Sequence, residues 1–328
     1  MVGIEETSAA TVFNSMILSY IVLFFNREAL FPHFAAGITA GQLSHKARLE
    51  PKRLQVVLDA SVAMGMLALE DSEYRLTALG KDLAKNRGFF TWAIGGYAPL
   101  LEAMGTFMTE PATPSLPYVR SQDVAIGSDE CNQGLMEPIF RHVIDALPVS
   151  RVADLGCGNA GRLVSLLERR PDLTGVGIDI APQAIEVAKL KRAEHNLQPR
   201  LQLVQEDVFQ ALGTPRPEFQ DVELVMSFMM LHDLFNITDL KENLFPRLKA
   251  AFPAAKYFVF ADTCLDGQER TFATMPIFAM GFELVHALRG IDVFPLEYYQ
   301  QQFAGSGLKL AGQYKFGAPN TYIFVLEV

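Results

Sequence analysis

The sequence predicts an α/β fold with a mostly parallel sheet, preceded by an N-terminal helical part and closed by an antiparallel hairpin. Three observations carry that prediction. From residue 149 onward, short apolar runs alternate with stretches of helical spacing, the pattern of strands joined by crossover helices. The first run, 152–155, breaks into Gly156-Cys157-Gly158-Asn159-Ala160-Gly161 before helical spacing resumes over 162–169. The last two β-like runs, 308–316 and 322–328, are separated by Gly317-Ala318-Pro319-Asn320 and suit a hairpin.

Bulk properties narrow the function classes. A chain of 328 residues is long enough for about two domains. Half of it is hydrophobic and 20% is charged, a globular balance. The formal net charge of -9 disfavours a general nucleic-acid-binding role. Cys131, Cys157 and Cys264 are widely spaced with no Cys-x-x-Cys pair, so they read as free thiols in a reducing compartment, with no zinc site implied. Cys157 reads as a small residue of the glycine loop, since nothing near it in sequence would lower its pKa. The most apolar run, 12–25, is interrupted by Asn14, Ser15 and Ser19 and reads as too short to span a bilayer. Glu5 and Glu6 stand before it, where a signal peptide would carry positive charge. A buried or dimer-forming helix and a cytoplasmic location are expected.

In chain order, residues 1–88 form the first expected domain. A short helix over 39–49 is followed by one that Pro51 opens, with Leu54, Val57, Leu58 and Val62 in a helical stripe. Runs at 66–69 and 74–76, joined by the acidic 70–73, make a hairpin. Helix, helix, hairpin is a winged-helix-like pattern. Its second helix offers only Lys52 and Arg53, and its wing turn is acidic, so a dimerisation domain is expected rather than a DNA reader. Residues 89–148 read as a helical connector or lid: aromatic and Gly-rich to Tyr97, Pro-rich over 111–117, then helical to Leu147. Within it Arg120 is either a surface charge or a carboxylate-binding fork. Residues 149–328 form the sheet domain. After Asp207 come a polar loop over 213–220, a strand over 224–228, a helix over 240–252 and a strand over 257–260.

Gly156-x-Gly158-x-x-Gly161 alone would also suit a dinucleotide, because glycine lets the backbone turn sharply and a ligand approach closely. Its company separates the readings. Asp154 stands two residues before the first glycine, where a carboxylate could hold an amino-acid ammonium group. The run 175–178 ends in Asp179, placed for ribose hydroxyls, and 201–205 ends in Glu206-Asp207-Val208. That last position resembles the adenine-facing acid of S-adenosylmethionine enzymes. The segment as a whole resembles a class I methyltransferase, with a Rossmann-like sheet, over roughly the C-terminal half. The resemblance implies S-adenosylmethionine as cofactor, held by Asp154, Gly156, Gly158, Asp179, Asp207 and Val208.

Of the six histidines, His33, His45, His142 and His195 read as structural or solvated. His232 follows Ser227-Phe228-Met229-Met230-Leu231 just past the carboxyl end of a strand, the edge at which ligands bind in open α/β sheets. His286 lies on a helix between two strands. If the two meet, two roles stay open. One imidazole could be a general base for O-methyl transfer, its tautomer fixed by Asp233 or Glu283. Alternatively the pair could hold a metal, iron being suited to nitrogen and oxygen donors with open positions, and a 2-oxo acid chelated there would have a more acidic C3 proton.

Phe228-Met229-Met230-Leu231-His232-Asp233, Leu248-Lys249-Ala250-Ala251-Phe252-Pro253 and Pro276-Ile277-Phe278-Ala279-Met280-Gly281-Phe282-Glu283-Leu284-Val285-His286 resemble the iron-dependent 2-oxo acid C3-methyltransferases. These include phenylpyruvate and arginine-keto-acid enzymes of nonribosomal peptide and antibiotic pathways. The resemblance implies that His232 and His286 ligate a nonhaem iron, Asp233 bonds a metal-bound water or the substrate, and Arg120 binds the substrate carboxylate. Two substrate side chains stay open. One is the guanidinium of 5-guanidino-2-oxopentanoate, for 3-methylarginine, to which the resemblance points, with Glu102, Glu110 and Glu283 as candidate partners. The other is a phenyl ring, which the Phe and Met residues of these segments would suit. The expected partners are a small 2-oxo acid and a second copy of the chain, with no nucleic acid and no membrane. A metal-independent small-molecule O-methyltransferase with a histidine base is the alternative. A winged-helix regulator that binds S-adenosylmethionine as a signal would need the basic second helix this chain lacks.

Overall fold

A computed structural model describes residues 8–213, 216–265, 277–316 and 320–328. The chain divides into two compact units. One takes the chain up to Ala103 together with Leu116–Gly134. The other takes Met104–Ser115 and most of the chain from Leu135 on.

The first unit opens on the helix Ala9–Arg27, capped by the Ser8 hydroxyl, which accepts from the Thr11 amide. This corrects the expectation of a run too short to cross a bilayer: the helix has 19 residues and a mean hydropathy of 1.6, enough by length and composition. Its C-terminal half nevertheless serves as core. Ile21, Val22, Leu23 and Phe25 are buried, and Phe25 stacks on Phe34 with ring centroids 5.3 Å apart. Its N-terminal half leaves Val12, Phe13, Met16, Ile17 and Tyr20 exposed.

Helix Ala40–Ala47 starts at a capping box between Thr39 and Gln42, and Pro51–Ala63 starts with Pro51 in its first turn under the Glu50 carboxylate. Strands β1 (Leu67–Glu70) and β2 (Glu73–Leu76) pair antiparallel around Asp71 and Ser72. Both turn residues have positive φ, as a two-residue hairpin with the right twist requires. Helix, helix, hairpin therefore forms where the sequence places it.

The second unit is built on a seven-stranded sheet of order β5-β4-β3-β6-β7-β9-β8. The strands are β3 (Arg151–Leu155), β4 (Thr174–Asp179), β5 (Leu201–Gln205), β6 (Leu224–Phe228), β7 (Tyr257–Thr263), β8 (Lys309–Lys315) and β9 (Thr321–Glu327). β3 to β7 run parallel, and β9 runs antiparallel to both β7 and β8. The closing hairpin is thus present, with its second strand slotted inside. Residues 317–319 of its expected turn lie outside the described residues.

Every residue of β6 is buried, as a strand covered on both faces demands. Phe245, Phe258, Phe260, Phe303 and Phe324 pack into the same core cluster. The helix expected over 240–252 is two helices, Thr238–Lys241 and Leu244–Ala251. Pro246 explains the break: without an amide proton it cannot donate to a carbonyl of the preceding turn, but it fits the first turn of a new helix. Five parallel strands put five carboxyl ends on one edge of this unit, and every feature of the site below lies there.

Candidate active site

At the end of β3 the chain turns through Gly156 and Gly158, at φ +71° and +55°, into the helix Gly161–Arg169. A Cβ on Gly156 would come within 2.7 Å of the Met230 sulfur, so the glycine is needed for a close approach as well as for its backbone angle. A Cβ on Gly158 would meet nothing within 4 Å. That face of the loop is open, while the amides of Gly156, Cys157, Gly158, Ala160 and Gly161 all donate within the protein.

The acids expected around the loop occupy three different settings. Asp179, ending β4, accepts from the Gly158 amide and from the Ala181 amide at 2.8 Å each. It therefore fixes the loop while half-exposed at the strand edge. Asp207 caps the helix Val208–Ala211, accepting from the Phe209 amide at 2.9 Å, and Val208 is buried beside it. Asp154 is wholly buried, and its carboxylate lies 3.2 Å from Nη1 of Arg162. Burial pushes Asp154 up to about 6, against the opposing pull of Arg162. Cys157 is buried next to the loop, and burial first, then the charges of Asp154 and Asp179, push its thiol well up, which leaves it inert as expected.

β6 hands over to the helix Leu231–Asn236 through Met229, at φ +56°. This bend turns His232 inward, where it is 1% exposed. His286, on the helix Ala279–Leu288, comes to meet it: the two Nε2 atoms are 3.1 Å apart. The opposite nitrogens are both engaged. Nδ1 of His232 lies 2.8 Å from Oδ1 of Asp262, and Nδ1 of His286 lies 2.7 Å from the carbonyl oxygen of Phe282. A carbonyl can only accept, so His286 carries its proton on Nδ1, and the Asp262 carboxylate favours the same tautomer in His232. Two Nε2 lone pairs then converge on one point. Such a point holds a cation, either a proton on one ring or a metal ion.

Burial works against a charge on His232, but the charge and hydrogen bond of Asp262 outweigh it and pull His232 up. Burial and the neighbouring His232 push His286 down to about 3. Any proton at this point therefore sits on His232.

Asp262 is the residue the sequence reading missed. It is 0% exposed near the end of β7 and accepts from the His232 amide, from His232 Nδ1 and from the Thr263 amide. It fixes His232, the role expected of Asp233 or Glu283. Asp233 instead approaches the Nε2 side of the ring at 3.6 Å, with its side chain 38% exposed. A lone Asp in the otherwise apolar run Tyr257–Thr263 was the available signal, since a buried carboxylate needs a partner. Among the described residues, no group of three or more His, Cys, Asp and Glu side chains is arranged to hold a metal ion.

The glycine loop and the histidines are neighbours, because Met230, two residues before His232, is the side chain packed on Gly156. Arg120 lies in the other unit, where its guanidinium donates to the Gly95 carbonyl at 3.2 Å. Glu102 and Glu110 are exposed. His195, expected to be structural or solvated, pairs with Glu168 at 2.6 Å on the surface.

Comparison with known proteins bears on this geometry. The family described as "Methyltransferase domain" matches residues 148–270. The chain is 29% identical over 276 residues to "Methyltransferase ungE'" of Aspergillus campestris, covering 81% of this chain and 80% of that one. It is 26% identical over 329 residues to "Indolepyruvate C-methyltransferase" of Streptomyces griseus, covering 98% and 95%. The chain is an S-adenosylmethionine-dependent methyltransferase. Among solved structures, this methyltransferase matches a putative O-methyltransferase from Nostoc punctiforme with a TM-score of 0.70 at 17% identity, over 98% of this chain and 100% of the other. At that identity the likeness speaks for the fold alone: a class I methyltransferase sheet with an N-terminal helical extension.

Proposed function

We propose that this methyltransferase moves the methyl group of S-adenosylmethionine to a small organic acceptor, with His232 as general base and no metal required. The observation that carries the reading is the buried His232–Asp262 pair, 2.8 Å apart and one bend away from the glycine loop. An acceptor hydroxyl in reach of Nε2 gives its proton to His232 as the oxygen attacks the methyl carbon, and S-adenosylhomocysteine leaves with the electron pair on sulfur. Asp262 stabilises the imidazolium that forms. Asp154, Gly156, Gly158, Asp179, Asp207 and Val208 are proposed to surround the cofactor.

A second reading is favoured by the convergence of the two Nε2 atoms and by the relative named for C-methylation of indolepyruvate, which matches nearly the whole chain. His232 and His286 would together hold an iron ion, each ring backed by an acceptor on its far nitrogen, as metal-bound histidines usually are. When bound, the ion polarises the carbonyl of a 2-oxo acid and makes its C3 proton more acidic. Asp233 stands beside the pair to take or orient that proton. The N-terminal unit is proposed to form a homodimer through the exposed apolar half of its first helix.

The test is methyl transfer by the purified protein to a panel of hydroxyaromatics and 2-oxo acids, among them indolepyruvate, phenylpyruvate and 5-guanidino-2-oxopentanoate, with and without chelator. NMR of the product locates the new methyl group. An O-methyl product unaffected by chelator is expected from the histidine-base reading. A C3-methyl product that needs metal, lost in both His232→Ala and His286→Ala, would replace it with the second.

A further inference from the structure

The cofactor of this reaction carries an ammonium group, a carboxylate and a sulfonium, and the loops at the sheet edge treat these groups unequally. Asp154, Asp179, Glu206 and Asp207 all stand at or just beyond the carboxyl ends of β3, β4 and β5. Asp154 and Glu206 are each paired with an arginine, Arg162 and Arg216, while Asp179 and Asp207 accept from backbone amides. This edge therefore suits an ammonium, ribose hydroxyls and an adenine amine better than it suits a carboxylate. A cation at this edge would serve the carboxylate end of the cofactor.

The sheet order says where that cation must be. On the cofactor placement proposed above, with adenine over β5 and ribose over β4, the methionine half would cross β3 toward β6, the next strand in the sheet and the one that leads to His232. Arg162 bridges that interval. It sits in the first turn of the helix that follows the glycine loop. Its Nη1 faces Asp154 at the end of β3, and its guanidinium carbon lies 3.6 Å above the ring of Phe228, the last residue of β6. Asp154 is wholly closed off, whereas the Arg162 side chain keeps 13% of its surface exposed. Asp154 therefore offers no surface to an incoming amino-acid group, whereas the Arg162 side chain keeps some. The Phe228 face and the Asp154 carboxylate hold the fork in place before the ligand arrives.

We infer that Arg162 is a cofactor-binding residue whose guanidinium holds the carboxylate of the methionine half of S-adenosylmethionine, with Asp154 as its positioning residue. This rests on the cofactor placement proposed above. A planar fork matches a carboxylate through two parallel N–H···O bonds, which a lysine at the same place would not reproduce.

The test compares three ligands by calorimetry on the full-length protein: S-adenosylhomocysteine, its decarboxylated amine analogue, and 5'-methylthioadenosine, which has neither charge. Wild type is expected to bind S-adenosylhomocysteine about 10- to 100-fold more tightly than the decarboxylated analogue. In Arg162→Gln that preference collapses to within about threefold, while affinity for the decarboxylated analogue stays nearly constant. Arg162→Lys, which keeps the charge that faces Asp154, falls between the two and serves should Arg162→Gln fold poorly. Equal losses for all three ligands, or an unchanged preference in the variants, would overturn the assignment. A wild type that binds S-adenosylhomocysteine no better than 5'-methylthioadenosine would show that no carboxylate site exists. A wild type that binds none of the three would remove the cofactor placement itself.

Discussion

Nε2 of His232 and Nε2 of His286 face each other across 3.1 Å, although the far nitrogen of each ring is already held by an acceptor. The arrangement makes the proton count of His232 depend on Asp262. An Asn there keeps the shape but can offer an N–H to Nδ1, which moves the ring proton to Nε2 and removes the lone pair a base needs. Asp262→Asn is therefore expected to lower kcat by about 100-fold or more, the usual worth of a positioned base. Steady-state rates at saturating S-adenosylmethionine, with circular dichroism to confirm folding, check this. A rate within threefold of wild type would remove His232 from the chemistry.

The two loop glycines are expected to differ. Gly156→Ala meets both a left-handed backbone and the Met230 sulfur, while Gly158→Ala meets the backbone angle alone. Strain at such a φ costs about 1 kcal/mol. Gly158→Ala should lose about that much stability and Gly156→Ala clearly more, read from denaturant midpoints. The reverse order would mean that Met230 moves aside freely.

Asp154 gives a pH signature in the ligand-free protein. Its carboxyl is held at about 6 in the fold, against an ordinary value of 3.8. Between those values the folded chain keeps a proton that the unfolded chain has released, so stability falls as pH rises through that window. The loss is at most about 3 kcal/mol. Asp154→Asn removes this slope. Urea unfolding at pH 4, 5, 6 and 7 on both proteins measures it, and parallel curves would contradict the shift.

Val12, Phe13, Met16, Ile17 and Tyr20 lie on one exposed half-helix. Light scattering is expected to give twice the chain mass for wild type, and the chain mass for a Phe13→Glu, Ile17→Glu double variant. A monomeric wild type would set the dimer aside, and sedimentation with lipid vesicles would then ask whether a membrane covers this face.

Local chemistry made much of this legible beforehand. Gly156, Gly158 and the acids ending β4 and β5 announce a ligand edge because turns and strand ends leave short-range marks in sequence. The helix starts at Thr39 and Pro51 are equally local. Partnerships across the fold leave no such mark. Nothing in the spacing of His232 and Asp262, or of Asp154 and Arg162, says that they touch, since each contact is made by the sheet and its crossovers. The length of the first helix was misjudged for a related reason. Asn14, Ser15 and Ser19 look like interruptions, yet the Ser15 and Ser19 hydroxyls bond back to carbonyls one turn earlier, those of Thr11 and Ser15, and the helix runs on.

The position of β9 sets a timetable for synthesis. Asp262 is paired with Tyr322, and Thr263 with Thr321, whose hydroxyls meet at 2.9 Å. The strand that carries Asp262 thus leaves the ribosome with one edge bare, and its neighbour is translated only much later. Meanwhile β3, β4 and β5, with the glycine loop and its acids, are already available to pair. A nascent chain can pair the strands that carry the glycine loop before β9 is there to flank the strand that carries Asp262. Completion of the sheet from the far side is thus what closes the second edge of the strand that holds Asp262 behind His232.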